Sequence, residues 1–558
     1  MLDESKYSAN QRLEGVDPIR LEVFKHMFAS IAEEMGVVLR KTSYSPNIKE
    51  RRDFSCALFD PSGNMIAQAA HIPVHLGSMP LSVRAAINKY SQFGNSPSKD
   101  LFPGDMILLN DPYQGGTHLP DITLVSPVFD QSSSNVSCLN DLTQAPLIGF
   151  VASRAHHADI GGMTPGSMPI AQEIIQEGLI IPPVKLFSQG QRNDDLWEMI
   201  LANVRTPLER SGDLWAQVAA NQRGVHRLQR IADEYGRQQI SIFMDALLAY
   251  SENMTRKLLA DLPDGTYTFE DYLDNDGVNE QPVLISVEIT IQDEHAIVDF
   301  SSSAEQQKGS VNAVYAITLS AVYYVFRCLL NLDVPNNSGC LVPIEVIARP
   351  GSVVNAAFPA PVAGGNVETS QRIVDVLLGA LSKACPELIP AASQGTMNNL
   401  IIGGWDPGNR RAFTYYETIG GGIGASSGTP GSSAVHSHMT NTLNTPVEAL
   451  EYAYPIRVVR YEIRDGSGGL GESQGGDGII REIEILVESQ VTLLTERRIF
   501  APYGLSGGQP GRLGENILFR SGEKKLLPGK GTFSLRENDR LVINTPGGGG
   551  FGGLSQSD

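Results

Sequence analysis

Apolar residues in two stretches of the chain recur with the spacing of an amphipathic helix. The first stretch follows Asp17-Pro18, a pair suited to the cap and first turn of a helix, and runs to about Arg40. The second stretch predicts three helices, at 196–203, 208–235 and 238–262. The N-terminal half is therefore expected to carry a layer of long helices. On the first helix the apolar face is formed by Leu21, Phe24, Phe28, Ile31, Met35 and Val38.

After residue 262 the pattern changes to an alternation of apolar and polar residues. Residues 266–273, 283–292 and 295–301 alternate with period two and predict strands, the last two joined as a hairpin. From residue 456 onward, short apolar runs are separated by glycine. We therefore predict an α+β, mixed multi-domain chain with a helical layer in the N-terminal half and a strand-rich, Gly-rich C-terminal module. The predicted domains are residues 15–262, 263–455 and 456–553.

Composition narrows the class of protein and its partners. A chain of 558 residues is too long for one ordinary hydrophobic core, which agrees with several domains. Its net charge of −19 argues against nucleic acid or an anionic membrane as a partner. The five cysteines are scattered, without a Cys-x-x-Cys pair, as is typical of a reducing compartment. Because neither a secretory leader nor a membrane-spanning apolar run is visible, we expect a cytoplasmic protein.

Histidines and aspartates cluster directly beside two short apolar runs. His118 and Asp121 precede one run, and His156, His157 and Asp159 follow the other. Neutral imidazole and ionised carboxylate are ligands for zinc, manganese or iron. The structural alternative is a hydrogen-bonded turn pair at the first run, with one buried and one exposed ring at the second. Because no His-Glu-x-x-His motif is present, a metal site here would have to be assembled by folding.

A glycine run, Gly420-Gly421-Gly422, follows a predicted strand at 413–418. The backbone N–H groups of such a run can form a nest for a phosphate or an oxyanion. The chain contains no Gly-x-x-x-x-Gly-Lys-Ser/Thr motif, so no nucleotide site of its own is predicted.

Several longer motifs are similar to those of the hydantoinase B/5-oxoprolinase family. They read NIKERRDFS at 47–55, HIPVHLG at 71–77, GTHLPD at 116–121, RAHHADIGG at 154–162 and HSHMTNT at 436–442. The glycine-rich end of the chain is similar as well. The resemblance runs from about residue 17 to residue 553 and thus covers almost the whole chain.

The resemblance implies an enzyme made of two components. A hydantoinase A/oxoprolinase A-type subunit, of actin/hexokinase-like fold, binds ATP and phosphorylates the amide oxygen of a small cyclic amide. The B component, which this chain resembles, completes the hydrolysis, so we expect a hetero-oligomer.

Relatives also imply a divalent metal ion on the B component, of uncertain identity among zinc, manganese and iron. Carried over to this sequence, its ligands would be His118, Asp121 and His156, with Asp53 as a fourth. The same resemblance implies that His157 and Asp159 are catalytic residues that orient the ligands. The glycines at 420–422 are expected to bind the phosphate or an oxyanion.

Three functions remain open at this point. The favoured one is ATP-dependent opening of 5-oxoproline to glutamate, or of a hydantoin to its N-carbamoyl acid. The second is the alpha-type subunit of an ATP-dependent ketone carboxylase. The third is a non-catalytic scaffold for the A subunit.

Overall fold

The computed structural model of the chain describes residues 8–69, 71–90, 101–130, 145–330 and 333–554. Within these residues, ten α-helices are combined with twenty strands in four sheets, which confirms the predicted α+β class. The helices are α1 (Ala9–Leu13), α2 (Pro18–Thr42), α3 (Pro46–Lys49), α4 (Ser78–Tyr90), α5 (Asp194–Ala202), α6 (Pro207–Tyr235), α7 (Arg237–Asp261), α8 (Tyr315–Leu329), α9 (Ser370–Leu381) and α10 (Val447–Ala453).

The first sheet has seven antiparallel strands in the order β2-β1-β5-β4-β3-β6-β7. Its central strands are buried along almost their whole length, because helices cover the sheet. The strands are β1 (Phe54–Phe59), β2 (Met65–Gln68), β3 (Met106–Leu109), β4 (Asp121–Phe129), β5 (Leu147–His156), β6 (Val184–Ser188) and β7 (Gln191–Arg192).

The predicted layer of long helices is confirmed as α2, α6 and α7. Helix α2 begins at Pro18 with the Asp17 side chain accepting from the backbone N–H of Ile19, which is the predicted cap. Helix α6 lies against the first sheet, where the side-chain amide of Gln217 donates to Ile122 O (3.0 Å). The helical layer therefore fixes the outer face of the strands that carry the histidines.

The second sheet follows in the order β11-β10-β9-β8, with β10 and β11 parallel and the other pairs antiparallel. In β9 every second residue is buried, as the alternation in the sequence predicts. Helices α8 and α9 contribute to the same core cluster as this sheet. The strands are β8 (Gly265–Leu273), β9 (Val283–Gln292), β10 (His295–Asp299) and β11 (Ile344–Ile347).

The remaining strands form two antiparallel sheets that share one core cluster. The third sheet has the order β13-β12-β16-β19 and the fourth the order β14-β15-β20-β17-β18. The strands are β12 (Asn399–Asp406), β13 (Arg411–Glu417), β14 (Ile456–Arg464), β15 (Gly478–Ile485), β16 (Ser489–Leu494), β17 (Glu515–Arg520), β18 (Glu523–Leu527), β19 (Lys530–Leu535) and β20 (Arg540–Asn544).

The predicted domain boundaries stay predictions. The change from long helices to strands falls at Gly265, close to the boundary expected after residue 262. The third sheet, however, pairs β12 with β16 and so joins strands from both sides of the boundary expected after residue 455. A glycine-rich core also crosses that boundary.

Glycine-rich segments around residues 420–425, 468–476, 504–511 and 547–552 pack directly on one another through their backbones. Gly548 N–H donates to Gly476 O (2.9 Å), and Gly476 N–H donates to Ile423 O (2.9 Å). A Cβ atom built on Gly422 would overlap Gly476 O, and one on Gly548 would overlap Ile423 O. Glycine is required here because the backbones approach too closely for any side chain.

Candidate metal centre

Three ligand-type side chains meet where β4 begins and β5 ends. Asp121 is the first residue of β4, and it pairs directly with His156, the last residue of β5. His118 precedes β4 in a turn closed by the bond from Asp121 N–H to His118 O (3.1 Å). The strand register and this short turn thus bring together residues that lie 38 positions apart in the sequence.

The distances within this group match those of metal ligands. Asp121 Oδ1 lies 3.1 Å from His118 Nε2 and 3.3 Å from His156 Nδ1, and the two nitrogens are 3.2 Å apart. Ligands bonded at about 2.0–2.2 Å lie roughly 3.3–3.6 Å apart in a tetrahedral site and about 2.8–3.1 Å apart in an octahedral one. All three residues are at most 2% exposed. The group could therefore hold a metal ion.

The two carboxylate oxygens of Asp121 have different partners. Oδ1 faces the two histidines, whereas Oδ2 accepts hydrogen bonds from the Thr117 hydroxyl (2.6 Å) and from His75 Nε2 (3.2 Å). Burial by itself would raise the pKa of Asp121, but the imidazoles of His118, His156 and His75 outweigh burial and hold that pKa well below its usual value. Asp121 is therefore an ionised carboxylate whose orientation is fixed from behind.

The second histidine of the group is held by an aromatic wall. Burial lowers the pKa of His156, so its ring is neutral at pH 7, the form that binds metals. The ring stacks on Tyr416 of β13, with centroids 4.7 Å apart and planes at 20°. The Tyr416 hydroxyl donates to Asn399 Oδ1 (2.9 Å), and the Arg51 guanidinium lies 4.6 Å from the Tyr416 centroid. The third sheet thus forms one wall of the site.

Asp53, the predicted fourth ligand, lies just before β1, where its backbone oxygen accepts from His156 N–H (3.0 Å). Asp53 lines a cavity of about 20 Å³ together with Asp121 and His156. Among the residues that the structure describes, the group of converging ligand atoms holds His118, Asp121 and His156 and does not include Asp53. Its part in metal binding stays a prediction.

His157 and Asp159, the predicted catalytic residues, make their hydrogen bonds elsewhere. His157 Nε2 bonds to Gln217 Oε1 of α6 (2.9 Å), and burial lowers its pKa to about 4. Asp159 pairs with Arg205 (2.9 Å) and accepts from the N–H of Gly161 (3.1 Å). The structure brings neither residue into hydrogen-bond contact with the three ligand atoms. Their contacts stabilise the segment after β5, and their catalytic role stays a prediction.

The run Gly420–Gly422 lies in the glycine-rich core. Gly421 N–H donates to Val435 O (2.9 Å), and Gly422 N–H donates to Pro546 O (3.1 Å). A phosphate would have to compete with these carbonyls, unlike in a nest of free N–H groups. The contacts favour a packing role for these glycines, and anion binding by them stays a prediction.

Sequence reasoning missed four residues around the group: His75, Thr117, Asn366 and Tyr416. His75 had a signal, since it lies in a short motif with two imidazoles. Asn366, whose amide nitrogen is 3.1 Å from His118 Nε2, had none, because it reaches the site from 248 residues away. Tyr416 likewise arrives from a different sheet.

Comparison with known proteins identifies the family. The family model described as hydantoinase B/oxoprolinase matches residues 17–554. The chain belongs to this family. A protein of Methanocaldococcus jannaschii is 41% identical over 97% of this chain and 92% of its own length. The 5-oxoprolinase of Dictyostelium discoideum is 41% identical over 96% of this chain, but the chain spans only 40% of that longer protein.

A solved structure has the same fold. The crystal structure of the ATP-dependent caprolactamase from Pseudomonas jessenii superposes with a TM-score of 0.87 at 29% identity. The match covers 97% of this chain and 92% of that chain. Within the part of the chain that the structure describes, no helix of this family member has the length and apolar character to cross a membrane.

Proposed function

We propose that this chain is the B subunit of an ATP-dependent cyclic-amide hydrolase, and that it opens 5-oxoproline to glutamate. The observation that carries the proposal is the buried group of His118, Asp121 and His156, whose ligand atoms lie within 4.8 Å of one another. The relative named 5-oxoprolinase, 41% identical, supports this ring over a hydantoin. The caprolactamase, named for a cyclic amide, supports the reaction class.

The ATP-dependent step belongs to a partner subunit in this proposal. The chain spans 40% of the Dictyostelium 5-oxoprolinase, and its 558 residues contain no Gly-x-x-x-x-Gly-Lys-Ser/Thr motif. We infer that an A-type subunit corresponds to the remaining part of that longer protein and phosphorylates the amide oxygen. Phosphorylation removes the amide resonance and makes the ring carbon electrophilic, which a lactam needs because its uncatalysed hydrolysis is very slow.

The residues of this chain prepare the hydrolytic half of the reaction. A divalent ion held by them would supply Lewis acidity and lower the pKa of a water molecule towards about 7. Asp121 stays ionised, and burial keeps His156 neutral, the form in which one of its ring nitrogens has a lone pair for a metal ion. Thr117 and His75 hold the outer carboxylate oxygen, so that the inner one keeps its direction.

The cavity beside the group limits what the described conformation can bind. Its volume of about 20 Å³ has room for roughly one water molecule and not for a five-membered ring. We therefore expect the site to open, or the partner subunit to complete it, before the substrate enters.

The proposal is tested by assembling the chain with an A-type subunit and measuring glutamate formation from 5-oxoproline with and without ATP. Parallel reactions contain hydantoin, caprolactam, or acetone with bicarbonate. We expect glutamate only with ATP and both subunits, and loss of at least a hundredfold in activity in Asp121→Asn. Turnover of acetone and bicarbonate alone would favour the carboxylase, and full activity in Asp121→Asn would favour a scaffold.

A further inference from the structure

Asn366 places its side-chain amide beside His118, one of the three ligand-type residues. Its Nδ2 lies 3.1 Å from His118 Nε2, the nitrogen that also faces Asp121 Oδ1 at 3.1 Å. Asn366 is 4% exposed and lines the small cavity together with Asp121 and His156. The amide therefore contacts His118 directly and shares a cavity with Asp121 and His156.

One atom of this amide has no partner. With Nδ2 towards His118, the amide donates to the ring nitrogen, while Oδ1 is buried without a hydrogen bond to any described residue. A buried polar atom without a partner costs free energy, about 1–3 kcal/mol. A half-turn of the amide about its Cβ–Cγ bond exchanges the two atoms and brings Oδ1 to the position beside His118 Nε2.

Ion binding reverses which of these two orientations is favoured. Without an ion, the lone pair of His118 Nε2 can accept from an amide N–H. Once that lone pair is given to a cation, an N–H at the same place would point its positive end at the ion, whereas the amide oxygen has a lone pair to give. Amide carbonyl oxygens are hard ligands of the kind that manganese and calcium accept.

The backbone around Asn366 is held independently of the ligand group. Residues Gly365–Thr369 form a single turn of π-helix directly before α9, a rare geometry that is frequent at functional sites. Gly365 N–H donates to Ser310 O (3.1 Å), and a Cβ on Gly365 would overlap Asn312 O. The Thr369 hydroxyl donates to Val311 O. The loop at 310–312 thus fixes the turn that delivers Asn366.

We propose that Asn366 is a further ligand of the metal ion and presents its amide oxygen when the ion is bound. The inference rests on the metal site of the proposed function. It gives the site a donor set of two imidazole nitrogens, one carboxylate oxygen and one amide oxygen. The added oxygen shifts the preference of the site towards harder ions such as Mn²⁺ relative to Zn²⁺.

The test is metal binding by the full-length, metal-stripped chain, measured by calorimetric titration with Mn²⁺ and Zn²⁺. We expect Asn366→Ala to raise the Kd for Mn²⁺ by about 10–100-fold and the Kd for Zn²⁺ by less. Asn366→Asp, which keeps an oxygen at this place, should bind Mn²⁺ at least as tightly as the wild type. Ser370→Ala is the matched control, because it removes only the bond from the Ser370 hydroxyl to Asn366 O (2.7 Å). Ser370→Ala should leave the Kd values for Mn²⁺ and Zn²⁺ within about threefold of those of the wild type.

A Co²⁺ spectrum provides a second readout that does not depend on affinity. At saturating Co²⁺, the visible bands of Asn366→Ala should differ from those of the wild type, because one oxygen donor is lost. Asn366→Ser, too short to reach the ion, replaces Asn366→Ala if the latter does not fold. Unchanged Kd values and an unchanged spectrum in the truncated variant would overturn the role of Asn366 alone, provided that His118→Ala abolishes binding. No ion binding by the wild type would overturn the metal site itself.

Discussion

The orientation of Asp121 offers the sharpest quantitative test of the site. Its outer oxygen, Oδ2, accepts from Thr117 Oγ1 at 2.6 Å and from His75 Nε2 at 3.2 Å. Thr117→Val and His75→Phe remove these donors while keeping nearly the same side-chain shape. Neither residue belongs to the three-residue ligand group, so any loss of metal affinity reports how firmly the carboxylate is oriented.

The expected size of the effect follows from these contacts. Removing a hydrogen-bonded partner of a metal ligand costs about 10–100-fold in affinity, equivalent to roughly 1.4–2.7 kcal/mol. We expect Thr117→Val to lie near the upper end, because its bond is shorter, and His75→Phe near the lower end. The double variant should lose more than the sum of the two, because each donor holds Oδ2 when the other is absent.

The measurement is the Kd for Zn²⁺ or Mn²⁺ from competition with a chelator of known affinity, together with denaturant unfolding of each metal-free variant. His71→Phe is the matched control: its ring accepts from Cys56 N–H (3.1 Å) in the same motif, with no hydrogen bond to the ligand group. It should lower stability and leave the Kd unchanged. A double variant that binds within about twofold of the wild type would refute the reasoning that these two donors orient Asp121.

Three further predictions test the surroundings of the site. Glu177 accepts from the N–H of Val362 (2.9 Å) and Ala363 (3.0 Å), and burial raises its pKa from 4.5 to about 8. The stability that this carboxyl contributes is full below pH 4.5 and is lost as the pH rises through 8. Between pH 5 and pH 9, the free energy of unfolding of Glu177→Gln, measured by urea titration, should therefore rise relative to that of the wild type by up to about 4 kcal/mol. Parallel pH curves for the two proteins would contradict this. Tyr416→Phe keeps the ring stacked on His156 but leaves Asn399 Oδ1 without its donor. We expect the free energy of unfolding to fall by about 1–3 kcal/mol, while the metal Kd stays within about threefold of the wild-type value. A stability equal to that of the wild type would count against the hydrogen bond. Gly548→Ala places a Cβ against Ile423 O and should lower the free energy of unfolding by about 4 kcal/mol or more. Its control is Gly553→Ala, which has no atom within 4 Å of its Cβ and should change stability by about 0.5 kcal/mol or less in thermal unfolding. Similar melting temperatures for the two variants would argue against the close-packed core.

Local pattern was sufficient for many of the regular elements. Helix α2 follows from its Asp17-Pro18 start and its one-sided apolar face, and β9 follows from strict alternation, because both signals are carried by neighbouring residues. The family could likewise be inferred from contiguous motifs. The short helix α4 was not predicted from the sequence.

The family resemblance favoured His156 over His157 as a ligand, but the physical reason for that choice lies in the tertiary structure. His156 and His157 are equivalent in the sequence, yet the register of β5 against β4 turns His156 towards Asp121, while His157 meets Gln217 of α6. Adjacent residues at a strand end face opposite ways, and only pairing with another strand decides which one faces the site.

The role of the glycine run and the identity of the distant partners also depended on the tertiary structure. A run such as Gly420–Gly422 has one sequence whether its N–H groups bind an anion or neighbouring carbonyls; the segments packed against it decide, and here they are carbonyls. Asn366 and Tyr416 reach the metal group from other layers of the fold, where no local pattern records their proximity. The amino-acid sequence by itself determined most of the elements, the family and, through the family motifs, three candidate ligands, because helices, strands and motifs are recorded in neighbouring residues. Tertiary packing alone decided which polar groups surround them, because contacts across hundreds of residues depend on how whole sheets meet.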